Sequence, residues 1–314
     1  MQKTLFQFLA DRQPKGRQEF PAFLSCTPDE AMRQLTKLAE SGVPIAHYDD
    51  DTFALISPLS PLNEEKIANA LPKWQVNYFP VIDSTNEYLL KNAKNLPNRV
   101  ICLTEFQSAG RGRRNRAWLA PFAGQLIMSL FCQLDGKVSL EGLSSVVGLA
   151  IVQALNAQEM YGFQVKWPND IVVNERKLAG VLVEIAPMRE GKHQIVIGLG
   201  MNIALENEER INQPYAELVD FYPLSEINRE DLIIQLAKTI DEYLTRFAQF
   251  GIDAQIQQEW LEHDAFLSCE VNVIKENETL SGIAKGIDER GFLVTEINGE
   301  IVKFNSADVS LRRK

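Results

Sequence analysis

The amino-acid sequence predicts an α/β protein with a central mixed β-sheet, preceded by a winged helix-turn-helix and followed by a small β-barrel. Three observations support this. Apolar strand-like runs alternate with long helical patterns in the middle of the chain. A clearly capped helix and a short strand pair fill the first 60 residues, and the last part alternates apolar and polar residues between turns. We expect domains at residues 1–60, 61–267 and 268–314.

Composition narrows the class of protein. The chain has 314 residues, 45% of them hydrophobic, and a formal net charge of -10, so it can bury a sizeable core but should repel DNA and anionic membranes at long range. It has neither a secretory h-region nor an apolar run long enough to span a membrane, and we expect a cytoplasmic protein. We expect reduced core thiols at Cys26, Cys102, Cys132 and Cys269, which are scattered and lack a metal-binding spacing.

The first 60 residues carry local signals of a helix and a wing. Thr27 is a predicted N-cap, Pro28 stands at the first helical position, Glu30 would close a capping box, and Gly42 marks the helix end. Phenylalanine- and leucine-rich helical stretches precede this helix, and two short strands around an acidic turn follow it. The pattern favours a winged helix-turn-helix, with a small helical dimerisation or packing domain as the alternative.

Proline and serine in ISPLSPLNEE (56–65) predict a linker. The strand candidates that follow are VICLTEF, QLIMSLFCQL, FQVKW, IVV, KLAGVLVEI and QIVIGLGMNI, and helical patterns begin near residues 140 and 228. Hairpin-like connections at VVNERKL and PMREGKHQ favour a mixed or antiparallel sheet over a doubly wound one. Near the C-terminus the turns KENE, DERG and INGE separate short strands, as in a small β-barrel.

The most unusual stretch is GRGRRNR (110–116), which gathers four arginines in an acidic protein. Gly110 and Gly112 let backbone N–H groups approach a ligand, and guanidinium groups offer planar sets of donors suited to carboxylate or phosphate. Unbound, such a loop should repel itself and stay mobile. We expect it to bind a small anion; an exposed basic loop without a special role is the alternative.

A second motif, KWPND (166–170), ends a predicted strand. Because proline interrupts pairing, Asn169 and Asp170 should lie at a strand edge facing a pocket. With Lys166 and Lys177 they would neutralise a carboxylate or phosphate and help to hold Mg²⁺; surface turn residues are the alternative. Gly180, inside an apolar strand, indicates close approach of a ligand or backbone, or a β-bulge.

A third motif, DSTN (83–86), precedes a helical pattern and is typical of an N-cap. The same hydroxyl and amide groups can hydrogen bond a small polar head group.

In order and spacing, DSTN, EFQSAGRGRRNRAW, KWPNDI, RKLAGVLVE and IGLGMNI closely resemble the bacterial biotin–protein ligases, over essentially the whole chain. With its N-terminal pattern the chain resembles the bifunctional ligases that also repress the biotin operon. The resemblance implies a class II synthetase-like catalytic fold and a C-terminal SH3-like barrel. It also implies that biotin and MgATP give biotinyl-5'-AMP, from which biotin passes to a lysine of the biotin carboxyl carrier protein of acetyl-CoA carboxylase.

The resemblance also implies residue roles, motif by motif. Biotin would be bound by Ser84, Thr85, Asn86, Gln107, Gly110, Arg111, Gly112, Arg113, Arg114, Lys177 and Gly180. ATP or the adenylate would be bound by Arg113, Arg116, Lys166, Asn169, Asp170, Asn202, Tyr215 and Arg312. The implied catalytic residues are Lys177, Arg113 and Asp170, with Asp170 also supporting Mg²⁺ and Tyr215 covering adenine.

One position departs from the family: Asn115 stands where glycine is usual, and because asparagine tolerates a left-handed backbone we expect the loop to form. Two other functions share parts of the pattern. A lipoate or octanoate transferase would share the catalytic fold, but the octanoyl enzymes use a cysteine nucleophile, and no cysteine lies in these motifs. In a pure DNA-binding repressor the ligase motifs would be remnants.

The resemblance implies a homodimer in the adenylate-bound state, and it makes DNA a candidate partner. The sequence argues against strong DNA binding, because Asp29 and Glu30 open the predicted recognition helix and Asp49, Asp50 and Asp51 form the turn of the wing. We therefore expect the winged-helix fold to persist with weak or absent operator binding.

Overall fold

The computed structural model describes residues 2–49, 51–205, 211, 213–275, 278–306 and 309–314, without the side chains of residues 2–4, 49 and 115. Several predicted features therefore lie outside the described residues: Asp50 of the acidic turn, Asn212 before Tyr215, residues 276–277 of the KENE turn, and the side chains of Asp49 and Asn115. No helix within the described ranges is long and apolar enough to cross a membrane.

Eight α-helices and fifteen strands lie within the described residues. The helices are α1 Gln2–Leu9, α2 Glu19–Leu24, α3 Pro28–Glu40, α4 Glu64–Ala70, α5 Thr85–Asn92, α6 Leu143–Asn156, α7 Arg229–Phe250 and α8 Ala254–His263. The first strands are β1 Lys15–Gly16, β2 Ile45–Asp49, β3 Thr52–Leu55, β4 Gln75–Ile82, β5 Val100–Gln107, β6 Gln125–Asp135, β7 Gln164–Lys166 and β8 Asp170–Val173. The later strands are β9 Arg176–Arg189, β10 Lys192–Asn202, β11 Glu270–Ile274, β12 Thr279–Ile287, β13 Leu293–Ile297, β14 Glu300–Phe304 and β15 Ser310–Arg313.

The chain divides into two compact units. The first comprises residues 1–130, 198–212 and 217–230, and the second comprises residues 131–197, 213–216 and 231–314. The domain boundaries expected after residues 60 and 267 stay predictions.

In the N-terminal segment, local signals set the ends of α3. The Thr27 hydroxyl accepts a hydrogen bond from the Glu30 N–H at 3.3 Å, and Pro28 is the first helical residue. The Glu30 carboxylate bonds forward along the helix, to Arg33 at 2.7 Å and Gln34 at 3.3 Å. The predicted strand pair is β2 and β3, and β1 adds a third strand in the order β1-β3-β2.

The central sheet is mixed, as predicted. Its strand order is β4-β5-β6-β10-β9-β8-β7, with β4 and β5 parallel and β8 antiparallel to both β7 and β9. The predicted hairpin connections are tight turns in which Asn174, Glu175, Glu190 and Gly191 have positive φ angles. Helix α6 packs with its apolar residues buried, among them Val146, Leu149 and Ile151.

The C-terminal residues form a five-stranded antiparallel sheet in the order β14-β13-β12-β11-β15. Its core holds alternate residues of the strands, such as Val271 and Val273, both 0% exposed. Trp167 of the KWPND motif is buried in the second unit and donates its indole N–H to the Gly291 carbonyl at 3.0 Å.

The cysteines are free thiols, as expected, but only Cys102 and Cys132 are buried; Cys26 and Cys269 are partly exposed. Burial raises the pKa of the Cys102 thiol far above its usual range.

Candidate functional site

In the first unit, the DSTN motif forms the buried N-terminus of α5. Ser84 is the N-cap and accepts the Glu87 N–H at 3.4 Å, which confirms the capping prediction. Ser84, Thr85 and Asn86 are each at most 5% exposed. Buried hydroxyl and amide groups need partners, because leaving them unpaired costs about 1–3 kcal/mol each.

Those partners form a chain of hydrogen bonds, which we call the polar cluster: Gln107, Thr85, Ser129 and Asn86. Thr85 donates its N–H to Gln107 Oε1 at 2.9 Å, and its hydroxyl lies 2.6 Å from that of Ser129. The Ser129 hydroxyl in turn donates to Asn86 Oδ1 at 2.6 Å. The arrangement holds fixed donors and acceptors in an apolar core, which suits a small polar head group.

Two residues at the polar cluster, Ser129 and Gly198, were not predicted from the sequence. Ser129 is a hydroxyl inside the apolar run LIMSLF of β6, and that isolated polar residue was the available signal. Gly198 of β10 faces Asn86 so closely that a Cβ atom there would lie 2.3 Å from Asn86 Oδ1. Glycine is required at that position because any side chain would collide with the polar cluster.

The arginine motif folds into a short antiparallel hairpin over residues 110–118, here called the arginine hairpin. Trp118 donates its N–H to the Gly110 carbonyl at 2.9 Å, and Gly112 donates to the Arg116 carbonyl at 2.8 Å. Arg113–Asn115 forms the turn, in which Arg114 takes the left-handed conformation at φ 55° and ψ 36°. The loop thus adopts a defined turn with Asn115 in it, while its expected mobility without ligand stays a prediction. The left-handed residue is Arg114, whereas the argument from the sequence concerned Asn115.

The arginine hairpin is attached to the helix that carries the polar cluster. Arg111 Nη2 lies 3.0 Å from Glu87 Oε2 in the first turn of α5. Gly110 is needed because a Cβ atom there would lie 2.5 Å from the Trp118 carbonyl oxygen. Arg114 and Arg116 are exposed, and Arg111 and Arg113 are partly buried. Four guanidinium groups on one small hairpin favour an anionic ligand beside the polar cluster.

The base of the hairpin is held by Trp118 and Gln125. The Trp118 indole N–H donates to Gln125 Oε1 at 3.0 Å, and Gln125 Nε2 donates to Asn202 Oδ1 at 2.8 Å. Asn202 is only 3% exposed. Sequence reasoning singled out Asn202 but not Gln125.

In the second unit, KWPND spans the turn between β7 and β8, here called the corner, and the expectation that Asp170 lies at a strand edge is wrong because β8 is an interior strand. Asp170 belongs to β8, pairs with Lys166 on one side and Gly180 on the other, and β8 lies between β7 and β9. Asn169 is 9% exposed and donates to the Val181 carbonyl at 2.7 Å. Proline did not end pairing here, because it sits in the connection and the strand resumes at once. A register shift follows at residues 171 and 172, so a bulge adjoins Gly180.

Lysines and a carboxylate meet at this corner. Lys177 Nζ lies 2.7 Å from Asp170 Oδ1, with both side chains about a fifth to a quarter exposed, at 19% and 24%. Burial lowers the pKa of Lys166; nearby Asp170 opposes that effect, whereas Lys177 and Arg312 add to it. Three predicted nucleotide-binding residues, Lys166, Asp170 and Arg312, thus interact electrostatically at this corner with Lys177, the predicted catalytic lysine.

Tyr215 joins the same corner through its backbone. It forms a parallel bridge with Lys177, in which the Lys177 N–H donates to the Pro214 carbonyl at 3.1 Å and the Ala216 N–H donates to the Lys177 carbonyl at 2.9 Å. Tyr215 is partly buried. Tyr215, which the resemblance assigns to adenine, therefore lies beside Lys177, which the resemblance assigns to catalysis.

Within the described ranges, no group of three or more acidic, histidine or cysteine side chains is placed to hold a metal ion by itself. Asp170 offers one carboxylate, already paired with Lys177. That donor set fits Mg²⁺ as it is usually bound with nucleotides, through one or two carboxylates, water and phosphate oxygens.

Comparison with known proteins identifies sequence families over two stretches. Residues 78–202 match the biotin/lipoate A/B protein ligase family, and residues 270–312 match the biotin protein ligase C-terminal domain. The chain is similar to the bifunctional ligase/repressor BirA of Escherichia coli, with 34% identity over 89% of this chain and 87% of the relative. It is 30% identical to the biotin–[acetyl-CoA-carboxylase] ligase of Paracoccus denitrificans, over 68% of this chain and 90% of that one.

A solved structure is similar as well. It is the biotin protein ligase from Aquifex aeolicus in complex with biotin and ATP, which matches 76% of this chain and 99% of its own with a TM-score of 0.67 and 26% identity.

Proposed function

Since this chain belongs to the biotin protein ligase family, we propose that it activates biotin with MgATP to biotinyl-5'-AMP and transfers biotin to a lysine of the carrier protein of acetyl-CoA carboxylase. The observation that carries this proposal is the pairing of the polar cluster with the arginine hairpin, which Arg111 ties to α5 through Glu87. The polar cluster suits the small neutral head group of biotin, and the arginine hairpin suits its carboxylate and the phosphate of the adenylate.

The chemistry explains why no covalent nucleophile is needed. A carboxylate oxygen of biotin attacks the α-phosphorus of ATP, the bond to the β-phosphate breaks, and pyrophosphate leaves. The ε-amine of the carrier lysine then attacks the biotinyl carbonyl carbon, loses a proton, and AMP departs with the bonding electron pair. Both steps develop negative charge at phosphate oxygens, which fixed guanidinium and ammonium groups stabilise.

We assign the residues accordingly. Ser84, Thr85, Asn86, Gln107 and Ser129 bind the biotin head group. Arg111, Arg113, Arg114 and Arg116 enclose the adenylate and exclude water from it. In the second unit, Lys166, Lys177 and Arg312 bind the phosphates and the activated carboxylate, and Tyr215 covers adenine. Asp170, which carries the carboxylate of this corner, would hold the Mg²⁺ that shields the phosphate charge.

We also propose the finer architecture. The order of α2, α3 and the hairpin of β2 and β3 supports a winged helix-turn-helix, and the five-stranded C-terminal sheet supports an SH3-like barrel. The three domains would be residues 1–60, 61–267 and 268–314. A homodimer in the adenylate-bound state remains part of this proposal.

An octanoyl- or lipoyl-transferring enzyme is the competing assignment within the family. It is disfavoured because none of the four cysteines lies in the polar cluster or the arginine hairpin, and burial raises the pKa of Cys102, so that thiol is not a ready nucleophile. The match of residues 270–312 to a biotin-ligase C-terminal domain points the same way.

The test is mass spectrometry of a purified carrier domain after incubation with this protein, biotin and MgATP. We expect one biotin adduct on a single lysine and none when ATP is omitted. Octanoate and lipoate in place of biotin serve as the competing substrates. A carrier that stays unmodified by biotin, with well-folded enzyme present, would overturn the proposal.

A further inference from the structure

Gln125 is a buried amide whose three polar contacts join parts of the first unit that are distant in sequence. It is 1% exposed and is the first residue of β6. Its Oε1 accepts the Trp118 indole N–H at 3.0 Å, and its Nε2 donates to the Leu119 carbonyl at 3.1 Å and to Asn202 Oδ1 at 2.8 Å. Both amide protons are therefore used.

The orientation of this amide follows from its partners. An indole N–H only donates, so it must face the oxygen of Gln125, and the Leu119 carbonyl only accepts, so it must face the nitrogen. With Nε2 directed to both remaining partners, Asn202 must present its amide oxygen to Gln125. The Gln125 side chain thus favours one orientation of the Asn202 amide.

Trp118 is the closing residue of the arginine hairpin. Its backbone N–H donates to Gly110, and its ring lies against Gly200 of β10, where a Cβ atom would stand 2.5 Å from a ring atom. The ring can approach β10 this closely only because Gly200 has no side chain. Trp118 therefore joins the hairpin to β10, and its indole N–H joins the hairpin to Gln125.

The main chain of Gln125 is held as well. Its carbonyl oxygen accepts from Arg229 Nη1 at 3.2 Å, and the same Nη1 lies 2.7 Å from Glu105 Oε2. Glu105 and Arg229 are 0% and 4% exposed. The start of β6 is therefore anchored to a buried ion pair, so the Gln125 side chain extends from a fixed point.

We propose that Gln125 is a positioning residue of the ligase reaction, which orients the arginine hairpin through Trp118 and the adenylate-binding amide of Asn202 in a single arrangement. This inference rests on the proposed function. Gln125 itself contacts no substrate group in this scheme; it acts through the two residues that it holds.

The first test is made on the ligand-free protein. In Gln125→Met, trypsin should cleave after the hairpin arginines about tenfold faster than in the natural protein, because opening no longer breaks the amide contacts. Fragment masses identify cleavage after Arg111, Arg113, Arg114 and Arg116. The matched control is Gln194→Met, which removes an equally buried glutamine of β10 that bonds Gln133 at 3.1 Å and touches none of these groups.

The second test uses turnover. Gln125→Met should raise the KM for ATP and the release rate of biotinyl-adenylate by about tenfold, while Gln194→Met leaves both near the natural values. Gln125→Glu should gain activity as the pH falls, because a protonated carboxyl regains one donor toward Asn202. The natural enzyme and Gln194→Met should show no such gain of activity at lower pH.

If Gln125→Met does not fold, Trp118→Phe is the substitute: it removes the indole N–H together with the ring atoms nearest Gly200, and it must itself accelerate hairpin cleavage. Equal cleavage and equal kinetics for Gln125→Met and Gln194→Met, in a natural protein that is an active ligase, overturn the positioning role. A different outcome is that Gln125→Met is cleaved faster than the natural protein but the natural protein has no ligase activity. That result would support the structural part of the inference and refute the proposed function.

Discussion

At the scale of single residues, Ser129 has the clearest functional consequence. Its hydroxyl joins Thr85 to Asn86, so Ser129→Ala removes one donor from a buried amide oxygen and breaks the polar cluster. We expect biotin affinity to fall roughly ten- to a hundredfold, as for the loss of about 1–3 kcal/mol from a buried polar group. Isothermal titration with biotin measures this.

The control for Ser129→Ala is Thr239→Ala. Thr239 is also buried, at 6% exposure, and accepts from Gln235 on α7, outside the polar cluster. Equal biotin affinity in the two variants would remove Ser129 from the binding site.

The second residue-scale prediction concerns the buried pair of Glu105 and Arg229. Glu105 also accepts from the Leu62 N–H at 2.7 Å and the Tyr78 hydroxyl at 3.0 Å. Burial, with Glu105 adjacent, raises the pKa of Tyr78 well above its usual range, so the phenol stays a donor. Arg229→Met should lower the free energy of unfolding by about 3–5 kcal/mol, since it leaves a buried carboxylate uncompensated.

Urea denaturation measures that loss. As a comparison, Lys285→Met breaks the half-exposed pair with Glu296 and should cost about 1 kcal/mol or less. A loss for Arg229→Met as small as that for Lys285→Met would show that Glu105 is compensated without the guanidinium.

At the scale of elements, the N-terminus of α8 gives a pH-dependent prediction. Asp253 accepts from the Ile256 N–H at 2.9 Å and pairs with Arg246 at 2.7 Å. Burial alone would raise the pKa of Asp253, but these bonds outweigh it and hold the pKa below its usual range. The ionised carboxylate therefore stabilises the fold above the unfolded-state pKa of about 3.9, and this contribution is lost as the pH falls through the lower folded-state pKa.

Asp253→Ala should accordingly destabilise the protein by about 1 kcal/mol at neutral pH, and the difference should shrink as the pH falls below about 4. Asn63→Ala at the start of α4 is a matched control, because Asn63 caps Lys66 at 3.0 Å with a side chain that does not titrate. Chemical denaturation across the acid range compares the two. If the free energy of unfolding lost in Asp253→Ala is as independent of pH as that lost in Asn63→Ala, the assigned role of the Asp253 carboxylate is contradicted.

At the scale of the whole molecule, charge argues against DNA binding. The protein carries a net charge of -10, and residues 1–60 hold six basic residues against eight acidic ones. At the start of α3, Arg33 is paired with Glu30 at 2.7 Å, which reduces its use as a phosphate contact. Little counterion release is then available to drive binding.

We therefore expect no specific complex at nanomolar protein in gel shifts with DNA upstream of the biotin operon of the same organism, run with biotin and ATP near physiological salt. Replacing Asp49, Asp50 and Asp51 with asparagine should raise non-specific affinity and its salt dependence. A nanomolar complex of the natural protein would contradict the prediction and make Arg17, Arg33 and Lys37 the candidate contacts.

The features that the sequence determined by itself are those with local causes. Thr27 and Pro28 set the start of α3, and positive-φ turns at Asn174 and Glu190 set two hairpins, because each signal acts within a few residues. The arginine motif predicts an anion site from composition, and that assignment stays a prediction. By contrast, β4 was not predicted: Pro80 lies within it and is tolerated because β4 is an edge strand, which only the sheet order reveals.

The tertiary structure decided which polar groups meet. Ser129 lies 43 residues from Asn86, Gln125 lies 77 from Asn202, and Glu105 lies 124 from Arg229. Hydrophobic periodicity predicts which face of an element is buried but carries no information about which distant residue will oppose it. For the same reason Asp170 was expected at a strand edge and lies within the sheet, where β9 pairs with it. Asn169, in the turn before β8, donates to Val181 of the same strand β9.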